Sequence, residues 1–282
     1  MECISIIICS RKQTINSDLS ENIKTTIGFN YELIIIDNST NQYSIFEAYN
    51  IGIKKSIGEL LVFLHDDIII HTQDWGLILN NIFESDSKIG LIGVAGGKVK
   101  TKMPSAWWDG GNNVLNIIQH YKNKPKELWN HGFSIADFEE VATIDGVFMA
   151  MKRNERINFD ERLKGYHNYD LFLSLYHHRL NKKVVVTNQI LLEHLSEGNL
   201  SLEWYNSTSF FHKQYKNLLP IVLADENKNE HFKNKEFNIG DKFVTKLIEL
   251  KLYSHAIYWW FEMFKLKPIS KYHIRFWKKI IK

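Results

Sequence analysis

Four short runs in the first hundred residues are apolar almost without interruption: Ile4–Ile8, Leu33–Ile36, Leu60–Leu64 and Ile89–Ala95. Runs that do not alternate apolar with polar predict strands covered on both faces, as in sheets built by βαβ crossovers. Between them the period changes. Within 43–57, Ile45, Tyr49, Ile53 and Ile57 recur every fourth residue, which predicts a helix stopped by Gly58. Trp75, Ile78, Leu79, Ile82 and Phe83 mark a second amphipathic helix. This alternation predicts an α/β fold, a mostly parallel sheet flanked by helices with right-handed crossovers.

The rhythm is lost over 101–140, where Trp107, Trp108, Gly110, Gly111 and Trp129 predict an excursion rich in functional loops. It returns at Val141–Met151, in a helix near Asp170–Leu180 and in a strand at Lys183–Thr187. Beyond about residue 205 the pattern is helical, and Phe243–Phe264 is dense in apolar and aromatic residues. The expected organisation is therefore one α/β domain over 1–205 and a helical region over 206–282. The segment from Lys265 onward carries seven lysines and arginines and no acid. A solvated helix end, contact with a second subunit and contact with an anionic membrane surface are the three readings of such a tail.

Composition narrows the class without deciding it. An apolar fraction of 44% and a charged fraction of 24% describe an ordinary globular chain of 282 residues. A formal net charge of +3 is too small to argue for nucleic acid, and none is expected as a partner. No apolar run approaches the ~18 residues that would suggest a membrane span. The opening MECISIIICSRK lacks a basic leader and a small-residue cleavage site, so it predicts a first strand rather than a signal peptide. Cys3 and Cys9 would lie ~20 Å apart along an extended strand, beyond disulfide reach. Reduced thiols and a cytoplasmic location are the corresponding expectation.

The sharpest chemical signal is Phe63-Leu64-His65-Asp66-Asp67, an apolar strand that ends in adjacent carboxylates. Ligands of open α/β sheets bind outside the carboxyl ends of strands. Two neighbouring acids repel, and a bound cation relieves that repulsion; oxygen donors favour Mg²⁺ or Mn²⁺. The bland alternative is a solvated turn in which one acid caps the next segment. Asp37 also ends a strand, before Asn38-Ser39-Thr40, where it could accept from a base N–H or simply cap a turn. His167, His177, His178 and His194 lack partners at structural-zinc spacing, and no dinucleotide, phosphate-loop or nucleophile-elbow motif is present.

Taken together, Cys9-Ser10-Arg11, Ile36-Asp37-Asn38-Ser39, Ala48-Tyr49-Asn50-Ile51-Gly52 and Gly58-Glu59 through Asp67 resemble, in order and spacing, the nucleotide-binding half of family 2 glycosyltransferases, which have the GT-A fold. Asp145-Gly146-Val147-Phe148 is similar to that family's strand beneath the acceptor site. Gly165 through Leu173 is similar to its acidic catalytic motif, and Leu192-Glu193-His194 to its late histidine segment. The resemblance implies a nucleotide-sugar donor, a uridine nucleotide above all, and a glycan or lipid-linked acceptor. It implies that Asp37 reads the base, Asp66 contacts the ribose, and Ser10, Arg11, Asn38, Asn50, Gly52 and His65 line the donor pocket. Asp67, with His194, would bind Mn²⁺ or Mg²⁺, and Asp170 would be the general base of an inverting transfer. Asp170 has a structural alternative as the N-cap of the helix over 171–180. Trp107, Trp108, Asp109, Asp145 and Gly146 are the candidate acceptor contacts, because aromatic faces stack on sugar rings. A homodimer or peripheral membrane contact would use the C-terminal region. His65, Tyr169 and Phe172 stand where the family usually carries acids, which keeps a non-catalytic sugar-binding module as the alternative.

Overall fold

The computed structural model describes residues 3–154, 156–223 and 230–281. The chain opens with β1 (Ile4–Ser10), α1 (Ser17–Thr26), β2 (Tyr31–Asp37), α2 (Ile45–Lys55), β3 (Leu60–Leu64), β4 (Ile68–Ile70), α3 (Trp75–Ser85) and β5 (Ile89–Gly93). A strand-rich stretch follows: β6 (Ala95–Gly97), β7 (Val99–Lys100), β8 (Asn113–Gln119), β9 (Glu127–His131), β10 (Phe138–Glu140), β11 (Thr143–Ile144) and β12 (Phe148–Lys152). Then come α4 (Tyr169–Arg179), β13 (Lys183–Thr187), β14 (Leu192–His194), α5 (Leu202–Gln214), β15 (Ile221–Val222), α6 (Glu230–Glu249), α7 (Tyr253–Leu266) and α8 (Lys271–Ile280).

Two sheets form the body. The first has the order β10-β13-β5-β12-β3-β1-β2 and the second the order β11-β6-β8-β14-β4, with β9 also paired to β8. Parallel character is only partial, which corrects the expected mostly parallel sheet. β1 runs parallel to β2 and β3, and β13 to β5, but β12 is antiparallel to both β3 and β5, and β10 to β13. The reason is connectivity: β12 re-enters from the second sheet through β11 rather than through a crossover helix, and nothing then enforces a parallel direction.

The uninterrupted apolar runs are explained by burial on both faces. Ile4, Ile6, Ile8, Leu60, Val62 and Leu64 pack on Leu19 and Ile23 of α1 and on Trp75, Leu79 and Phe83 of α3. The intervening Ile7, Leu61 and Phe63 pack on Phe46 and Tyr49 of α2 and on Leu171 and Leu175 of α4. Side chains alternate across a strand, so a strand with helices on both sides must be apolar at every position. The predicted helix over 43–57 ends earlier, at Lys55, and Ile57 lies exposed beyond it. Its start is firm: Ser44 and Glu47 form a reciprocal capping box.

The stretch expected to be an irregular excursion holds the β8–β9 hairpin. Its anchor is the buried Asn116, whose side-chain amide donates to Asn188 O and Ile190 O and whose Oδ1 accepts from Asn130 Nδ2. Helices α6, α7 and α8 surround a separate apolar cluster of Phe237, Val244, Leu247, Trp259, Met263 and Phe276, into which Met103 reaches.

Asn50 and Gly52, expected in the nucleotide pocket, are structural instead. Asn50 is buried; its amide donates to Phe159 O (2.9 Å) and Glu161 Oε1 (2.8 Å), and its oxygen accepts from Phe159 N (2.8 Å). A Cβ on Gly52 would meet Ile7 Cγ2 at 2.3 Å, so glycine is what lets α2 lie against β1. Asn50→Ala should therefore lower the unfolding free energy by about 2–3 kcal/mol, by stranding the Phe159 backbone groups, with no change in nucleotide affinity. Urea titration and calorimetric nucleotide binding on the same variant check both halves.

Candidate active site

β3 leaves the first sheet at Leu64 and β4 enters the second at Ile68, so His65, Asp66 and Asp67 occupy the crossing. β4 pairs antiparallel with β14, placing His194 opposite Ile68, and Leu195 N donates to Asp67 O at 2.9 Å. This register brings together side chains far apart in sequence. One atom each of His65, Asp67 and His194 lies within 4.8 Å of the other two. Asp67 Oδ1 is 3.5 Å from His194 Nε2 and 3.7 Å from His65 Nδ1.

The three groups perturb one another. Burial pushes the Asp67 carboxyl up, but hydrogen bonds from His194 and Ser196 and the charge of both imidazoles outweigh it and hold the group well below the usual carboxylate range. His65 is pushed down by burial and by the neighbouring His194, which favours its neutral, ligating form. Each imidazole is also steered from behind. Tyr169 Oη lies 2.6 Å from His65 Nε2, and Gln119 Oε1 lies 3.2 Å from His194 Nδ1. Burial pushes His194 down, but its hydrogen bond to Asp67 and the charge of that carboxylate outweigh it and push it up, so a cation would have to displace the proton on its Nε2. With a proton kept on each rear nitrogen, His65 Nδ1 and His194 Nε2 would then be free to ligate, the outer-shell arrangement typical of metal-ligating histidines. A Cβ at position 146 would sit 2.3 Å from the Tyr169 hydroxyl, so Gly146 is required for Tyr169 to reach His65.

The cluster opens onto a cleft of about 600 Å³. Arg11, Lys12, His65, Asp66, Lys100, Trp107, Trp108, Asp145, Gly146, Tyr166, His167 and Asp170 contribute to its wall. Asp66 accepts from Ser10 Oγ at 2.5 Å, which fixes the carboxylate beside β1. The Arg11 guanidinium lies 5.1 Å over the Tyr166 ring. Trp107 donates from Nε1 to Asp145 Oδ2 (2.6 Å), while Asp145 Oδ1 accepts from Val147 N (2.8 Å), tying the tryptophan loop to the start of β12.

Asp170 is in the first turn of α4. The N-cap position of that helix is Asn168, at φ 66°, so the alternative reading of Asp170 as the N-cap does not hold. Its side chain accepts from Leu171 N at 2.8 Å. Burial first, and then the neighbouring Asp145, push its carboxyl up to about 7, against the lowering influence of Leu171 N–H and Lys100. Lys100 is itself buried and pushed down to about 8 by desolvation; its ammonium donates to Ser105 O at 2.5 Å and Ser105 Oγ at 3.0 Å.

Other expected donor or acceptor residues stand apart from this wall. Asn38 is buried and spends its amide on Tyr43 O and the Tyr166 hydroxyl and its oxygen on Tyr43 N, so it braces the 38–43 turn instead of offering a polar group to a ribose. Asp37 is exposed at the end of β2, where it accepts from Ser39 N. Asp109 accepts from Ala106 N at 2.6 Å and closes the tryptophan loop. His177 is buried against Gly90, and His178 meets Ala142 O, both away from the cleft. Among the described residues, the place of His65 beside Asp67 and His194, Tyr169 behind His65, Gln119 behind His194, and Lys100 were not foreseen. The trace they left is that His65 and Tyr169 depart from the family pattern together.

A family model described as a glycosyltransferase-like family matches residues 5–213. The chain belongs to that family. The fold agrees: the structure of GalNAc-T7 with UDP, GalNAc and Mn²⁺ superposes with a TM-score of 0.52 at 12% identity, over 76% of this glycosyltransferase-like chain and 50% of the other. Looser likenesses are S. aureus TarS 1-349 in complex with UDP-GlcNAc (TM-score 0.46, 11% identity, 86% and 81% covered) and A197 from STIV (0.41, 13%, 81% and 97%). Curated protein sequences give no match. The body is thus a mixed α/β fold of GT-A type.

Tyr169→Phe removes the hydroxyl behind His65 without emptying the space. Affinity for Mn²⁺ should fall by about 10–100-fold with little loss of stability, measured by calorimetry and thermal melting.

Proposed function

We propose that this glycosyltransferase-like chain moves a sugar from a nucleotide-diphosphate donor, a UDP-sugar, to a hydroxyl of a glycan or lipid-linked acceptor, with inversion at the anomeric carbon. The observation that carries the reading is one cleft shared by a His65–Asp67–His194 cluster and by a buried carboxylate, Asp170, raised to about 7. We assign 1–205 as the donor-binding and catalytic unit and 206–282 as a helical region serving acceptor or partner contact.

The two imidazoles and one carboxylate fit a divalent cation. Nitrogen donors favour Mn²⁺ over the oxygen-demanding Mg²⁺. Such an ion, when bound, supplies the positive charge that stabilises a departing diphosphate. The chain's own residues do the rest. Arg11 and Lys12 place cationic groups in the same cleft to meet phosphate oxygens. Asp66, held by Ser10 in the cleft wall, would accept from a ribose hydroxyl, and Asp37, outside that wall but opposite Ser10 on the neighbouring strand, would accept from the base. Trp107 and Trp108, edge to face at 5.2 Å, give the acceptor sugar an aromatic wall. Asp170 takes the proton of the attacking hydroxyl, and a base whose pKa is near the working pH is suited to that step. One base, with displacement from the opposite face, gives inversion.

The departures from the family pattern do not favour the non-catalytic module. His65 and Tyr169 act as a hydrogen-bonded pair in the cluster. Phe172 fills an aromatic group with Phe46, Phe159 and Tyr215 and faces no vacant acid site.

Thermal melting with a panel of nucleotide sugars, with and without Mn²⁺, tests the donor half. Donor at ~100 times its dissociation constant should add about 2.7 kcal/mol of stability. We expect a Mn²⁺-dependent shift with one donor class, lost in Asp67→Ala; no shift with any donor rejects the proposal.

Asp170→Asn tests the base. Turnover should fall by roughly 10²–10⁴-fold while the donor-induced shift remains. Wild-type turnover should decline as pH drops below about 7, following protonation of this carboxylate. Stability responds with a defined sign. The folded carboxyl holds its proton up to about 7, the unfolded one only to ~3.9, so the stability it contributes is lost as pH rises through that window. At pH 8 the asparagine variant should melt no lower than wild type, with a gain of up to about 1–3 kcal/mol. A variant that melts lower and keeps its turnover assigns Asp170 a structural role.

A further inference from the structure

Helix α8 carries two apolar faces. Tyr272 and Phe276 point inward to the helical cluster. Ile274, Trp277 and Ile281, at the spacing of a second helical stripe, are 63%, 39% and 81% exposed. Beside that outer stripe, at successive turns, stand Lys271, Arg275, Lys278 and Lys279, all exposed, and none of them forms an ion pair among the described residues. The patch continues onto α7. Trp277 packs edge to face on Trp260 at 5.0 Å, Trp260 lies 5.8 Å from Phe264, and both Phe264 and Phe261 are exposed. Ile269, in the turn between the two helices, is almost wholly exposed.

We infer that this face is a docking surface for an anionic lipid bilayer, on which α8 lies in the plane of the interface. Charge complementarity selects the occupant. A second copy of the chain meeting this face across a two-fold axis would set the same four cations against one another. An anionic bilayer offers phosphate to Lys271, Arg275, Lys278 and Lys279 and an acyl layer to Ile274, Trp277 and Ile281, and long basic side chains reach the headgroups while their stems stay against apolar surface. No helix of the described residues is long and apolar enough to cross a membrane, so the contact is peripheral. This inference does not depend on the transferase reading, since it concerns a different face and needs no donor.

The test is co-sedimentation of the full chain with vesicles of phosphatidylcholine alone and of phosphatidylcholine with phosphatidylglycerol, at low and high salt. We expect binding to the anionic vesicles only, weakened at least ~10-fold by high salt. Lys271→Glu/Lys278→Glu and Ile274→Ser/Ile281→Ser should each weaken it about tenfold or more, with melting temperatures unchanged because all four positions are exposed. Sedimentation with neither vesicle, equal sedimentation with both, insensitivity of the wild type to salt, or binding retained by both double variants overturns the inference. Self-association abolished by Ile274→Ser/Ile281→Ser, without vesicle binding, assigns the face to a second copy of the chain instead.

Discussion

The candidate site depends on one strand pairing. β4 and β14 are each only three residues long, yet their antiparallel register sets His194 beside the acids that leave β3. A slip of one residue would turn His194 to the opposite face of the sheet and dismantle the cluster. The Leu195 N to Asp67 O bond extends that pairing to the acid itself. On one side, β8 braces the pair by running parallel to β14, and its Gln119, opposite His194, holds the rear nitrogen of the imidazole.

From this crossing outward, each group in the cleft is positioned by another. Gly146 admits Tyr169, Tyr169 sets His65, and His65 faces Asp67. Asp145 fixes Trp107 with one oxygen and the start of β12 with the other, and its charge helps to raise Asp170. Lys100 opposes that rise while holding the 105–106 backbone with its ammonium. A buried carboxylate with both an anion and a cation nearby is tuned by their balance, so the loop that carries the tryptophans and the proposed base are electrostatically linked. Substitutions in that loop would accordingly be felt at Asp170.

Several residues of the family pattern serve the scaffold in this chain. Asn38 braces a turn, Asn50 tethers the 159–161 segment, and Gly52 closes α2 onto β1. Asparagine in such motifs is ambiguous, because the same amide that could meet a ligand can equally satisfy buried backbone groups. The helical C-terminal region is ordered differently: it closes a core of its own and leaves an apolar and cationic face outward.

Much of the fold was written in short-range pattern. Strands β1, β3 and β13 and helices α3 and α4 follow directly from apolar runs and stripes, because two-sided burial and helical periodicity act on consecutive residues. Helix α1 left little trace, since only Leu19, Ile23 and Thr26 of its ten residues are buried. The β8–β9 hairpin was concealed by its asparagines, whose partners lie in another segment. At the site, the acids at the end of β3 and the raised interest of Asp170 were legible as motif residues. What only the tertiary structure decided was the direction of β12, the meeting of His65 with Asp67 and His194 and the structural bonds of Asn38 and Asn50. These depend on which distant chain segment arrives opposite a given side chain, and strand register across more than a hundred residues is not encoded in any local window.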